Sequence, residues 1–154
     1  MTQTRWLDAP QQHAWRGYLR MQARLSARMH RELQADAGLS LGDFDVLVAL
    51  SEAPGRRLRA FELAAVLEWE KSRLSHHVRR MEQRELVSRE GVEDDGRGAY
   101  LVLAPLGAEA LTRAAPRHVE IVRQLVFDDL TESQVRALAE ITDAVLARLD
   151  DPAE

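Results

Sequence analysis

The chain has 154 residues, 45% hydrophobic and 30% charged, enough for one domain or one intertwined protomer of an oligomer around a buried core. It has no cysteine, which excludes disulfides, a cysteine nucleophile, a thiolate zinc site and thiol-based oxidant sensing. No apolar run reaches the roughly 18 residues of a membrane span, and Met1–Pro10 lacks the apolar core of a signal peptide, so the expectation is a cytoplasmic protein with no membrane partner.

The formal net charge is −4, whereas nucleic-acid binders often carry a basic excess. The distribution says more than the sum. Residues 1–40 hold six Arg against three acids, and residues 128–154 hold two Arg against eight acids. Between them, residues 71–89 hold six basic side chains (Lys71, Arg73, Arg79, Arg80, Arg84, Arg89) against Glu82 and Glu85. The middle is basic and the tail is acidic, and an acidic tail is ordinarily a solvated face.

Ala9 to Ala37 reads as a long helix, because Trp15, Tyr18, Leu19, Gln22, Leu25, Met29 and Leu33 fall mostly on one face at steps of three and four. Gly38 is a plausible stop. Ser40 starts a second helix. It places an oxygen acceptor at the cap, and Asp43 follows three residues on, near the positive end of the helix dipole. Phe44, Leu47, Val48 and Leu50 supply its apolar face, and Pro54-Gly55 ends it. A short helix follows over 61–67, then a break around Glu68–Glu70, then a helix from Lys71 to about Arg84. Leu86–Glu90 and Tyr100–Leu103 read as two strands joined across the turn-rich Glu93–Gly98 into a β-hairpin. Gly107 to about Phe127 is helical, with Pro116 expected to kink or divide it. Thr131-Glu132-Ser133-Gln134 is a capping box. It opens a last helix to about Leu149, in which Val135, Leu138, Thr142, Val145 and Leu149 repeat at near-heptad spacing.

The helices at 61–67 and 71–84 are separated by a few residues, which is helix-turn-helix geometry. Leu74, Val78 and Met81 should pack inward, leaving Ser72, Arg73, Ser75, His76, Arg79 and Arg80 outward. Hydroxyls and guanidiniums suit a DNA major groove, where Arg meets the guanine edge bidentately and other cations neutralise phosphates. A solvated amphipathic helix would show the same pattern. The hairpin separates the two readings: Arg97 between glycines can enter a minor groove, with Asp95 placed to hold its side chain. An exposed acidic turn is the alternative for that tip.

Residues from about 15 to 147 resemble the MarR family of bacterial winged-helix regulators. The resemblance is carried by Leu-Gly-Asp-Phe-Asp-Val-Leu at 41–47, Phe-Glu-Leu-Ala at 61–64, the run Lys71–Glu82, Leu-Val-Ser-Arg at 86–89 and Asp-Asp-Gly-Arg-Gly at 94–98. The last contains the Asp-x-Arg signature of the family's wing, matched by Asp95 and Arg97. The fold expected is mainly α with a small β-hairpin wing. A winged helix-turn-helix at 40–104 would be flanked by dimerisation helices at 9–37 and 105–149, all in one protomer over 1–154.

The resemblance implies a homodimer whose two recognition helices, roughly one DNA turn or 34 Å apart, read a pseudo-palindrome. It implies that Ser72, Arg73, Ser75 and His76 meet bases, with Arg79 or Arg80 near phosphates. Three positions depart from the family pattern: Glu85 where Gly is frequent, His77 where an apolar residue is common, and Ala60-Phe61 where a Ser or Thr cap often precedes Glu62.

The resemblance also implies a small aromatic or phenolic effector. Trp15, Tyr18, Leu19, Phe44 and Leu47 are candidates to line its cleft, with Arg16 or His30 as an anion partner; ordinary core packing is the competing explanation for each. No catalytic residue, metal ligand set or cofactor is expected. The adjacent His76 and His77 point about 100° apart on a helix and chelate poorly, and His118 with Glu120 is too little for a metal. The expected function is a sequence-specific double-stranded-DNA-binding regulator, acting as a repressor. The rivals are a helical dimeric interaction protein and a DNA-binding protein that answers to no ligand.

Overall fold

The computed structural model describes residues 4–91 and 98–151. Asp8, Pro10 and Gln11 open α1 (Ala9–Ala37). The Asp8 carboxylate accepts the Gln11 N–H at 2.8 Å, and the Gln11 side chain accepts the Asp8 N–H at 3.0 Å. Gly38 ends the helix at φ +64°, its N–H returning to the Gln34 carbonyl. The same logic opens α2 (Leu41–Glu52), where Ser40 and Asp43 cap each other reciprocally. Pro54–Arg56 then form a single 3-10 turn.

A strand follows that the sequence did not announce. β1 (Arg57–Arg59) pairs antiparallel with β3 (Tyr100–Leu103), which pairs on its other side with β2 (Val87–Glu90). Three residues with two arginines carry too little apolar alternation to declare a strand. Their partner β3 makes them one. The sheet order β1-β3-β2 therefore ties the hairpin to the segment just before α3 (Ala60–Leu67).

The turn from α3 to α4 (Lys71–Gln83) is made by Glu68 at φ +54°, with the Trp69 N–H bonded to the Ala64 carbonyl. Leu63 from α3, Leu74, Val78 and Met81 from α4, and Val46, Leu47 and Leu50 from α2 are almost fully buried. They form one core with Leu33, Leu39, Leu86 and Leu101. β2 follows α4 through Glu85, at φ +57°, and the Leu86 N–H reaches back to the Met81 carbonyl. This is a Schellman closure with Glu in the position that favours glycine.

α5 (Pro105–Val122) runs through Pro116 without division; the departure from α-helical bonding comes later, in the π-helical turn Arg123–Phe127. Of the two expected outcomes at the proline, a kink or a division, the continuous helix excludes the division. A Cβ on Gly107 would collide with the Leu86 carbonyl, so the first turn of α5 lies directly against the turn that joins α4 to β2.

Contacts divide the chain into two compact units, Met1–His118 and Val119–Glu154. The second holds the end of α5, the π-helical turn and α6 (Glu132–Asp150), which Thr131 and Gln134 cap as the sequence foretold. No residue of α6 is buried; Ile141, Val145, Leu146 and Leu149 are each more than half exposed. Of α1, only Leu33 is buried.

Candidate nucleic-acid interface

α4 has two unlike faces, as its spacing predicts. Leu74, Val78 and Met81 are at most 2% exposed. Ser72, Arg73, Ser75, His76, Arg79 and Arg80 are all exposed on the other side. The structure thus brings together every expected member of the reading face. Asp95 and Arg97 fall at 92–97, outside the described residues. What is described is the base of the hairpin: Gly98 at φ +82°, and the registers from Val87↔Leu103 to Glu90↔Tyr100.

That base is more basic and aromatic than the sequence reading anticipated. The guanidiniums of Arg57 and Arg59 each lie 4.5 Å from the centre of the Tyr100 ring. Arg59 is only 7% exposed and donates to the Gly98 carbonyl at 3.1 Å. Arg57 also pairs with Glu90 at 3.4 Å. Pairing of β1 with β3 is what places both arginines on Tyr100 (Arg59↔Tyr100). The only sequence signal for them is the Arg-Leu-Arg alternation, whose partner is some forty residues away.

A second feature missed in the sequence holds α4 to α2. Asp43 is 4% exposed. Its Oδ1 accepts from His77 Nε2 at 2.8 Å, and its Oδ2 accepts from Arg84 Nη1 at 2.7 Å and from the Ser40 N–H at 2.9 Å. Arg84 continues to the Gly38 carbonyl at 2.6 Å. Burial by itself would raise the Asp43 carboxyl, but donors from His77, Ser40 and Arg84 outweigh it and hold the group well below the usual carboxylate range. Arg80 donates to His77 Nδ1 at 3.3 Å, so the bonding pattern fits a ring with its proton on Nε2.

The departures from the family pattern now have reasons. His77 replaces an apolar residue because it reaches the buried Asp43. Glu85 occupies a left-handed cap and bears its strain. With no Ser or Thr available, the Glu62 carboxylate caps α3 by accepting the Arg59 N–H at 2.8 Å.

The candidate effector cleft does not assemble as one lining. Phe44 and Leu47 are core residues, 7% and 0% exposed, and the Phe44 ring lies 4.3 Å from the His118 ring. Trp15 and Tyr18 stack on each other at 5.7 Å, about half exposed, and Leu19 is 43% exposed. None of the three joins the core cluster. Arg16 is exposed, and His30 is exposed with its Nδ1 accepting the Leu41 N–H at 3.2 Å. Beside Phe44, burial raises the Asp45 carboxyl and lowers the His118 imidazole, each partly offset by the other's charge. Among the described residues no group of three or more His, Asp or Glu is placed to hold a metal ion, and no helix is long and apolar enough to cross a membrane.

A helix-turn-helix with an exposed basic second helix, followed by a β-hairpin anchored to a third strand, defines a winged helix-turn-helix protein. A model described as MarR family matches residues 37–98. Sco3205, a MarR family transcriptional regulator from Streptomyces coelicolor solved in complex with DNA, is 43% identical. The match covers 97% of this chain and 94% of that one, with a TM-score of 0.91. AbsC, a MarR family transcriptional regulator from the same organism, is 38% identical over 95% of this chain and 98% of its own, at a TM-score of 0.88. A mutant MarR from E. coli complexed with operator DNA shares the fold at 22% identity, covering 82% of this chain and 91% of that one with a TM-score of 0.69. No curated protein matches the chain. The chain belongs to the MarR family, whose members are transcriptional regulators and not enzymes.

Proposed function

We propose that this protein is a homodimeric repressor that reads a pseudo-palindromic operator in double-stranded DNA. The observation that carries the reading is α4. Two hydroxyls, a guanidinium and an imidazole (Ser72, Ser75, Arg73, His76) and the flanking cations Arg79 and Arg80 share one exposed face, held by a buried opposite face. In this reading the first four meet base edges and the last two meet phosphates, while Arg97, supported by Asp95, enters the minor groove. The 43% identical Sco3205 was solved in complex with DNA, which supports DNA as the partner here.

Residues 40–104 serve as the reading unit, and the helices in 9–37 and 105–149 serve pairing. The exposed apolar residues of α1 and α6, Trp15 and Leu19 on one and Ile141, Val145 and Leu149 on the other, support that division. Surface this apolar is costly to leave in water. A dimer on an operator represses by occluding the promoter.

Release by a small aromatic or phenolic ligand belongs to the same proposal. It rests on the exposed Trp15–Tyr18 stack and the neighbouring Arg16. Such a ligand shifts the equilibrium only by its difference in affinity between the bound and released states.

The test is an electrophoretic mobility shift with the protein's own promoter region at two salt concentrations. Binding that survives competitor DNA and weakens with salt is expected. Binding that competitor DNA abolishes would end the operator reading. Calorimetry with a panel of phenolic acids checks the effector, and an absence of both binding and DNA release removes it from the proposal.

A further inference from the structure

Trp69 sits in the turn of the helix-turn-helix, between the buried ion network and the exposed reading face. Its backbone is fixed by the bond from its N–H to the Ala64 carbonyl at 3.0 Å. Its ring meets His77 edge to face at 5.1 Å between centroids, and His77 is itself fixed by Asp43. The other wall is Gly42: a Cβ there would lie 3.1 Å from the indole and 2.9 Å from the His77 ring. The indole is therefore packed on two sides. On its remaining face lies the Arg73 guanidinium, 4.0 Å from the ring centre.

This contact orders Arg73 in an unusual way. A stacked guanidinium uses its flat face and keeps its edge of N–H donors. Among the described residues Arg73 makes no hydrogen bond or ion pair and only acts at longer range on the Asp45 carboxylate, while Arg84 and Arg89 spend donors on Asp43 and Glu82. The edge that a guanine would need is unspent, and the long side chain is already confined.

We propose that Trp69 is a positioning residue for base readout: its indole, braced by His77 and Gly42, pre-orders the Arg73 guanidinium with its donor edge free for a base. Trp69 touches no DNA in this arrangement and acts through Arg73. The inference rests on the reading of Arg73 as a base-contacting residue.

The test selects bound sequences from a random duplex library with the wild-type full chain, Trp69→Leu, Trp69→Phe, Arg73→Ala and the double variant Trp69→Leu/Arg73→Ala. Thermal melts confirm folding. Trp69→Leu should weaken discrimination at the base pair read by Arg73 by about two- to fivefold, the scale of an exposed cation–π contact. It should leave preferences at other positions in place. Trp69→Phe, which keeps a ring face, should restore most of the discrimination, and Trp69→Leu should add nothing once Arg73 is Ala. If Trp69→Leu fails to fold, Trp69→Met refills the volume without a π face and is expected to show the same position-specific loss. A uniform loss of affinity over all sequences, or an equal loss in the Arg73→Ala background, would mean that Trp69 only supports the fold, and the inference falls. If Arg73→Ala changes no preference, the reading of Arg73 falls and takes this inference with it. If Arg73→Ala changes a preference that Trp69→Leu leaves intact, the inference alone falls.

Discussion

Asp43 keeps its charge inside the protein because three donors converge on it, from Ser40, His77 and Arg84. A carboxyl held below its ordinary value stabilises the folded state when ionised. That contribution is complete above the unfolded value near 3.8 and is lost as pH falls below it. The wild-type melting temperature should therefore hold above roughly pH 4 and fall as pH is lowered further toward the depressed folded-state value, read by thermal unfolding. Asp43→Asn should be less stable at pH 7 by about 1–3 kcal/mol, the scale of a hydrogen bond to a charged group, and should lose less on acidification. An equal acid response in both proteins would place the titrating group elsewhere. On the exposed face, Arg73→Ala should cost about 1–3 kcal/mol of discrimination at one base pair. Arg79→Ala should weaken all sequences alike and flatten the salt dependence of binding. Competition assays on operator and scrambled duplexes at several salt concentrations separate the two effects.

At the scale of elements, the cap of α4 and the start of α5 set how the recognition helix meets the hairpin. Glu85 adopts φ +57° where a side chain is strained. Glu85→Gly should relieve that strain, partly offset by glycine's greater freedom in the unfolded chain, for a net gain of about 0.5–1 kcal/mol. Urea unfolding measures it, and a loss of stability would mean that the Glu85 side chain contributes more than its backbone costs. Gly107→Ala should act in the opposite direction, because its methyl meets the Leu86 carbonyl. Overpacking of this kind costs about 1–3 kcal/mol. The same variant should disturb the junction between α4 and β2, so amide exchange at Leu86 and Val87 should quicken.

At the scale of the whole molecule, the apolar residues left in water are the main unfinished business of the chain. Ile141 and Val145 are 61% and 53% exposed, one turn apart on α6. If α6 pairs with a second copy, Ile141→Asp/Val145→Asp should shift the protein from dimer to monomer in sedimentation. It should also weaken operator binding, because two linked reading heads bind far better than one. A wild-type protein that sediments as a monomer at micromolar concentration would overturn the dimer. Shape and apolar area, more than net charge, carry this part of the reading: the chain is acidic overall, although α1 and α4 each carry a basic excess.

Local signals in the sequence determined most of the elements and the exposed polar face of α4. Ser40 and Thr131 cap helices by bonds that span three residues, and the period of α4 alone separates Leu74, Val78 and Met81 from Ser72, Arg73 and Arg79. Such interactions are short-range, so a linear reading finds them. Tertiary structure decided what depends on partners far along the chain. β1 is a strand only because β3 pairs with it, Asp43 is a buried anion only because His77 and Arg84 reach it, and Phe44 and Leu47 are buried because the core closes over them. Pro116 sits within α5 without dividing it, although the residue alone argued for a kink or a division. In each case the local preference is worth about a kilocalorie per mole or a few, which tertiary packing readily overrides.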